Sequence, residues 1–458
     1  MRSLSTVLIN RDYARLWTGQ AISTLGDYAF NTTLVLWVAT VLARARPWAP
    51  AAVSGVVITA GAAVLVVGPL AGVFVDRWDR RRIMLGSEVI RAILVGLLTL
   101  LSLLPVADLP RWAWLAVIYV VVFVLNAAGQ FFSPARFATI GDIVSGEVDR
   151  ARAAGLSQAT NSTAAIIGPP IAAPLLFTIG LQWALLFNTI SYVVSFIAIR
   201  SVNLDHGASP AKTASSPAAA AGSARPGVRH DFLAGLRFFA SSRFLVALLS
   251  VAAICQFGTG ALSALGIFFV TDDLHASSHL YGYLGTAMGI GGIVGALCAG
   301  RVVKRLGSRR TTCLGLIVAG LLIIAYSRQT VFIAGIALLF AVAVPVTMMN
   351  TAMTPLLLAS APRKYLGRVM AVFNPLVQLA SMLSVAISGW LASSVLRNFS
   401  GSVAGVHLGP IDTIFAGSGA LVVIAGLYAI LALPQPAAQP AGPRPASPAA
   451  AVSDQSGS

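Results

Sequence analysis

A single aspartate stands in a long apolar run near the start of the chain. Asp27 is flanked by Leu25, Tyr28, Phe30 and Leu34, within a stretch of roughly 14–42 that is long enough to cross a bilayer. An aspartate at the centre of such a helix costs about 2.5 to 3.5 kcal/mol to insert, so it must face protein or a water-filled cavity rather than lipid. Withdrawn from bulk water, it can take up a proton near neutral pH. Its chemistry is therefore proton coupling or the binding of a cationic substrate. The plainer reading is an aspartate fixed by hydrogen bonds at a kink beside Gly26.

Other polar residues interrupt apolar stretches in the same way. Glu88 and Arg91 are three apart, on one helical face, and read as a local ion pair near the membrane surface. Asn31, Asn126, Gln130, Gln158, Asn161, Asn188, Gln256, Asn350, Asn374 and Gln378 are candidates to line a cavity. Most such side chains bond between helices, for about 0.6 kcal/mol each. Gly168-Pro169-Pro170, followed by Pro174, should break or kink its helix, because proline lacks the backbone donor.

A different signal closes the second apolar run. In GPLAGVFVDRWDRRR, Gly68, Gly72 and Asp76 share one helical face, and Arg77, Arg80, Arg81 and Arg82 follow where the helix leaves lipid. The glycines admit a close neighbouring helix, with the carboxylate at the end of the contact.

Enzymatic chemistry finds no support. There is no P-loop, no HExxH and no zinc-spaced cluster; the five histidines, His206, His230, His275, His279 and His407, fall in loops. Cys255, Cys298 and Cys313 lie singly in or beside apolar segments. No cofactor is expected, and a proton gradient is the implied energy source.

The elements that must position these residues follow from composition. The 458 residues are 57% hydrophobic and 10% charged, with mean hydropathy +0.84, against about 25% charged in a soluble domain. Twelve apolar spans can be drawn, at roughly 14–42, 51–75, 83–104, 112–134, 153–178, 181–199, 243–271, 280–303, 310–326, 331–358, 366–396 and 411–433. The net charge of +16 invites a nucleic-acid partner. Placement argues against one: of the 31 cations, only Arg44, Arg46, Arg111, Arg328 and Arg397 fall in external loops, as the positive-inside rule requires. Both termini are then cytoplasmic, and the expectation is a multi-pass protein of the cell membrane.

The spans divide into residues 1–200 and 236–433, joined by an Ala/Ser/Pro-rich cytoplasmic linker at 201–235 and followed by a tail at 434–458. Internal echoes suggest duplication. Gly300, Lys304, Arg305, Arg309 and Arg310 repeat Gly72, Asp76, Arg77, Arg81 and Arg82 at a shift of 228. Arg11 and Gly26 are echoed by Arg243 and Gly258 at 232, and Ser133-Pro134 by Thr354-Pro355.

Gly68, Leu70, Gly72, Asp76, Arg77, Arg80 and Arg81 resemble the G-x-L-a-G-x-x-x-D-R-x-x-R-R signature of major facilitator superfamily transporters. Arg11 to Asp27 (RDYARLWTGQAISTLGD) and Phe132-Ser133-Pro134-Ala135-Arg136 are similar to the branch that contains macrolide-efflux proteins and the enterobactin exporter. Gly168-Pro169-Pro170 partly resembles an antiporter motif, with Ala172 and Ala173 at its trailing glycines; and no Arg lies within the fourth span, where many drug–proton antiporters carry one. The resemblance implies an all-α membrane protein of twelve helices in two pseudo-symmetric six-helix bundles. It further implies a monomer, surrounded by lipid, that exports amphipathic small molecules against protons by alternating access. Asp76 would lock one state against the amino end of the eleventh span, near Arg363, Lys364 and Arg368, with Gly300, Arg305 and Arg309 as the second half of the gate. Import, lipid flipping or a non-transporting sensor or scaffold are the alternatives.

Overall fold

The structure is a computed structural model and describes residues 9–75, 77–202, 237, 241–359, 366–399, 401–403 and 406–432. The expected linker and tail, Asp76, and Arg363 and Lys364 lie outside the described residues.

Eleven long helices account for nearly all of it. They are α1 (Arg11–Trp37), α2 (Ala49–Val75), α3 (Arg80–Leu101), α4 (Arg111–Ile143), α5 (Glu147–Pro174) and α6 (Leu181–Arg200) in the first half. The second half has α7 (Arg243–Phe268), α8 (Gly282–Ser327), α9 (Phe332–Ala359), α10 (Leu366–Trp390) and α11 (Pro410–Ala432). All eleven are long and apolar enough to cross a membrane. The 46-residue α8 turns at Gly307, whose φ of 78° is open to glycine and strained for other residues. Its two limbs are two spans, so the eleven helices make twelve crossings. A three-residue hairpin, Gly401–Val403 against Val406–Leu408, is the one departure from all-α structure among the described residues.

Start signals act where the chain enters the helices. Asn10 accepts from the Tyr13 amide at 2.7 Å to cap α1, and its amide also donates to the Ile143 carbonyl at 2.7 Å, tying α1 to the end of α4. Asp79 and Ser242 cap α3 and α7 in the same way.

The duplication is visible in the backbone. α1, α5, α7 and α10 each close in a five-residue π turn: Val38–Leu42, Leu175–Ile179, Phe269–Asp273 and Leu391–Val395. Arg81 donates to the carbonyl of Arg200 at the end of α6, and Arg309 donates to that of Ile430 near the end of α11, both at 2.6 Å. Each half has its own apolar core, one around Trp37 and Trp114 and one around Leu248, Leu316 and Val422.

Candidate functional site

Two glycines on α1 bring it against α6. A side chain at Gly26 would collide with Ser191 and Asn188, and one at Gly19 with Ala198. The close approach aligns polar side chains that an ordinary helix spacing would separate. The Tyr192 hydroxyl donates to Asp27 Oδ1 at 2.5 Å, and the Asn188 amide donates to the Tyr192 oxygen at 3.3 Å. Tyr192 is fully buried, whereas Asp27 keeps partial exposure. α1 runs unbroken past Gly26. The bonded partner of Asp27 lies within the first half rather than across the boundary between halves.

Glu88 and Arg91 do not form the surface ion pair that their spacing suggests. Glu88 is 0% exposed. Ser195 Oγ donates to its Oε1 at 2.8 Å, Gln20 Nε2 donates to Ser195 Oγ at 2.9 Å, and Arg136 Nη1 donates to Gln20 Oε1 at 3.4 Å. The Arg91 guanidinium carbon sits 5.5 Å from the ring centres of both Phe132 and Tyr192. Gly129 on α4 makes room for it, since a β-carbon there would strike the guanidinium. The pairing fails because α4 and α6 offer Arg91 two aromatic faces while α6 offers Glu88 a hydroxyl. The fourth helix also runs longer than expected, through Pro134 to Ile143, and so carries Arg136 within it. The absence of an arginine from that helix is thereby corrected.

The remaining candidates are more dispersed. Asn31, Gln158, Asn161, Asn350 and Asn374 are exposed, and the Tyr28 hydroxyl donates to Asn161 Oδ1 at 3.4 Å. Asn126 donates to its own helix at Val122 O, 2.8 Å, and Asn188 is buried in the Tyr192 contact. Gln256 is half-buried. Gln130 borders Gly68, and Gln378 packs over Gly61 across the boundary between halves. Helix α5 is not broken at Gly168-Pro169-Pro170: α-helical geometry continues to Pro174 and relaxes into the π turn after it. Gly168 lies against Tyr28 and Pro169 against Gly282 and Gly285, so the motif packs two neighbours instead of interrupting the helix.

Among the described residues, contacts between the halves run from one end as far as Gly61 and Gln378 at mid-helix. Thr286 on α8 donates to Ile166 O on α5 at 2.7 Å, and the Ala51 amide on α2 donates to Ser393 Oγ after α10 at 3.0 Å. Gly282 faces the Pro169 backbone, and Gly389 faces Ser54. At the opposite end Gly72 and Gly300 are exposed, with no described atom within 4 Å of an added β-carbon. Arg77 and Arg305 are exposed there, and Arg80 pairs with Asp142 at 2.6 Å. Both members of that pair are exposed, so it contributes at most about 1 kcal/mol.

The profile of a family described as transmembrane secretion effector matches residues 4–439. The chain belongs to this family. Among its curated relatives is the MFS-type transporter YkuC of Bacillus subtilis, 24% identical over 375 residues and covering 81% of each chain. Macrolide efflux protein A of Streptococcus pyogenes is 23% identical over 387 residues, covering 83% of this chain and 89% of that protein. Solved structures show the same fold: a mutant of the nucleoside transporter NupG superposes with a TM-score of 0.70 at 12% identity, over 93% of this chain and all of that one. A bacterial homologue of the iron transporter ferroportin in an inward-facing state gives 0.67 at 15% identity, over 92% and 98%. The chain is a multi-pass membrane transporter of the major facilitator superfamily. In this member of the secretion effector family, Tyr192, Ser195 and Gln20 complete the buried network, half-buried Arg136 reaches Gln20 from its edge, and sequence reasoning singles out none of them for that role. One signal is present: Asn188, Ser191 and Ser195 recur at helical spacing in an otherwise apolar span.

Proposed function

We propose that this transporter exports amphipathic small molecules in exchange for protons, with Asp27 as the group at which proton and cargo meet. The observation that carries the reading is Asp27 itself. It is an intramembrane carboxylate, held by Tyr192 on one side and still partly open on the other. A group that only braced the bundle would have no reason to stay accessible. The name of macrolide efflux protein A supports export and an amphipathic cargo. The gradient alone would supply the energy, without a cofactor.

The end at which Gly72 and Gly300 stand apart also carries Arg77, Arg80, Arg81, Arg82, Lys304, Arg305, Arg309 and Arg310. Under the positive-inside rule that end faces the cytoplasm of the cell membrane. A cytoplasmic cargo would enter there, beside Asp27, and leave when the halves rock about their boundary.

Uptake of fluorescent macrolides and cationic dyes into inverted membrane vesicles tests this. Accumulation should require an imposed proton gradient and collapse with a proton ionophore. Accumulation indifferent to the ionophore, or movement only in the opposite direction, would refute the reading.

A further inference from the structure

We propose that Glu88 is the second carboxylate of a proton-holding unit with Asp27 and Arg91, and that this unit exchanges one proton for one monocationic amphiphile. The inference rests on the proton-coupled reading of Asp27. Its substance is charge balance in the interior of the bundle.

Glu88 is fully buried, and while Oε1 is bonded by Ser195, Oε2 is buried without a partner. Arg91 stands one turn along α3, fixed between the rings of Phe132 and Tyr192, with its Nε also buried and unmatched. Tyr192 bridges from Arg91 to Asp27 through its hydroxyl. Arg91 forms a salt bridge with neither carboxylate among the described residues, but it shares a helix face with Glu88 and lies against the Tyr192 ring whose hydroxyl bonds Asp27. The other ionisable groups around them are Tyr28 and Tyr13 on α1 and Arg136 on α4. Tyr28 turns to Asn161, and Tyr13 is bonded to the Ala153 carbonyl. Arg136 is half-buried, a turn nearer the cationic end, and addresses Gln20.

Two carboxylates and one guanidinium leave a single negative charge when all are ionised. An unbalanced charge in a low-dielectric interior is strongly unfavourable. One positive charge removes the imbalance, and two sources can supply it. A proton bound to a carboxyl oxygen is one; a monocation beside the accessible Asp27 is the other. Arrival of the cation breaks the carboxyl O–H bond, and the proton leaves to water. Departure of the cation on the far side lets a proton from that side take its place. Asp27 is where the cation sits, and Glu88, out of reach, is what makes a counter-charge necessary. Without Glu88, Asp27 and Arg91 balance each other and neither proton nor cation is required.

Infrared difference spectra of the purified transporter in phospholipid vesicles at neutral pH test this directly. The wild type should show the absorption of one protonated carboxyl group that is absent in E88Q and equally absent in D27N. R91Q, which removes the only positive member, should double it. Adding tetraphenylphosphonium, a permanent monocation, should erase the wild-type absorption and leave the E88Q spectrum unchanged. Glutamine preserves an acceptor for Ser195, and a thermal unfolding curve confirms that each variant is folded. If D27N loses the absorption while E88Q retains it in full, Glu88 is outside the unit and this inference fails alone. If tetraphenylphosphonium leaves the wild-type absorption intact, the exchange for a monocation fails. If no variant alters the spectrum, both this inference and the proton-coupled reading fail.

Discussion

The two halves share a backbone plan and differ in what they bury. Helices α1 and α7 correspond at a shift of 232, α3 and the second limb of α8 at 228, and α6 and α11 at 230. On those shifts Gln20, Asp27, Glu88, Arg91, Tyr192 and Ser195 map onto Ala252, Thr259, Leu316, Ala319, Val422 and Ala425. Gly26 and Gly258 do the same task in each half, one against Asn188 and Ser191 and the other against Ser418 and Val422. Yet the second site is a plain apolar core in which Leu316, Val422 and Ala425 are each 0% exposed. Thr259 satisfies its hydroxyl within its own helix at Cys255 O, 3.1 Å. The fold therefore closes without the polar network. Packing alone would favour the apolar version, because buried charges are often replaced by hydrophobic groups at no loss of stability. Six polar residues retained in one half and missing from the other point to work done by that half.

The sharpest way to break the comparison is to neutralise its key residue. D27N keeps an acceptor for Tyr192 and should fold normally, while gradient-driven accumulation in inverted vesicles falls to the level seen with ionophore. Full activity in D27N would make the polar network a structural variant of the apolar one. The reciprocal change is T259D, which places a carboxylate where Ala319 and Leu316 offer it neither a guanidinium nor a hydroxyl. It should destabilise the protein by about 2.5 to 3.5 kcal/mol, read as a lowered unfolding temperature in detergent. Addition of L316E and A319R to restore the first-half arrangement should recover part of that loss.

The seams between the halves extend the comparison. Position 282 on α8 corresponds to 54 on α2 at the shift of 228, and each meets the partner half at the closed end. At one seam Gly282 abuts the Pro169 carbonyl and the Pro170 α-carbon, which cannot move aside. At the other, Gly389 abuts the Ser54 side chain, with the Pro50 carbonyl behind it at 3.2 Å. G282V should therefore wedge the closed end more effectively than G389V. Overpacking of about 1 to 3 kcal/mol, felt only when the seam is shut, would shift the population toward the opposite opening. Labelling of single cysteines at positions 54 and 286 should rise in G282V, and rise less in G389V.

Much of this fold is legible in the sequence because lipid imposes simple rules. Twelve spans, their rough limits and the two-half plan follow from apolar length and from echoes such as Arg81 and Arg309. The misreadings fall where long-range packing decides. A three-residue spacing of Glu88 and Arg91 looks like an ion pair only while Phe132, Tyr192 and Ser195 are unknown neighbours. Pro134 reads as the end of a helix, but in a membrane a neighbouring helix can satisfy the freed carbonyl, so α4 continues and takes Arg136 with it. Gly168-Pro169-Pro170 reads as a break for the same reason. Asp27 is identifiable as an anomaly from one residue in its context, whereas its partner Tyr192, an ordinary aromatic in an apolar span, is not.

The smallest expected effect tests the part of the comparison in which the halves should agree. Arg81 and Arg309 each donate at 2.6 Å to a carbonyl near the end of the last helix of their own half, and each leaves its Nε buried without a partner. Terminal carbonyls lack intrahelical donors, and a cation there also favours the helix dipole. Both side chains are half-exposed, so solvent screens the contact and its loss should cost about 1 kcal/mol. R81A and R309A should lower the unfolding temperature by equal amounts and leave the dependence on the proton gradient intact. Their effects should also add in the double variant, because each acts within its own half. Inequality would mean that one of these arginines has a further partner at the cationic end. The natural candidate is Arg81, which stands five residues after Asp76 in a stretch the second half matches with Lys304. An unequal result would thus move the asymmetry of the molecule from its buried core to its cationic end.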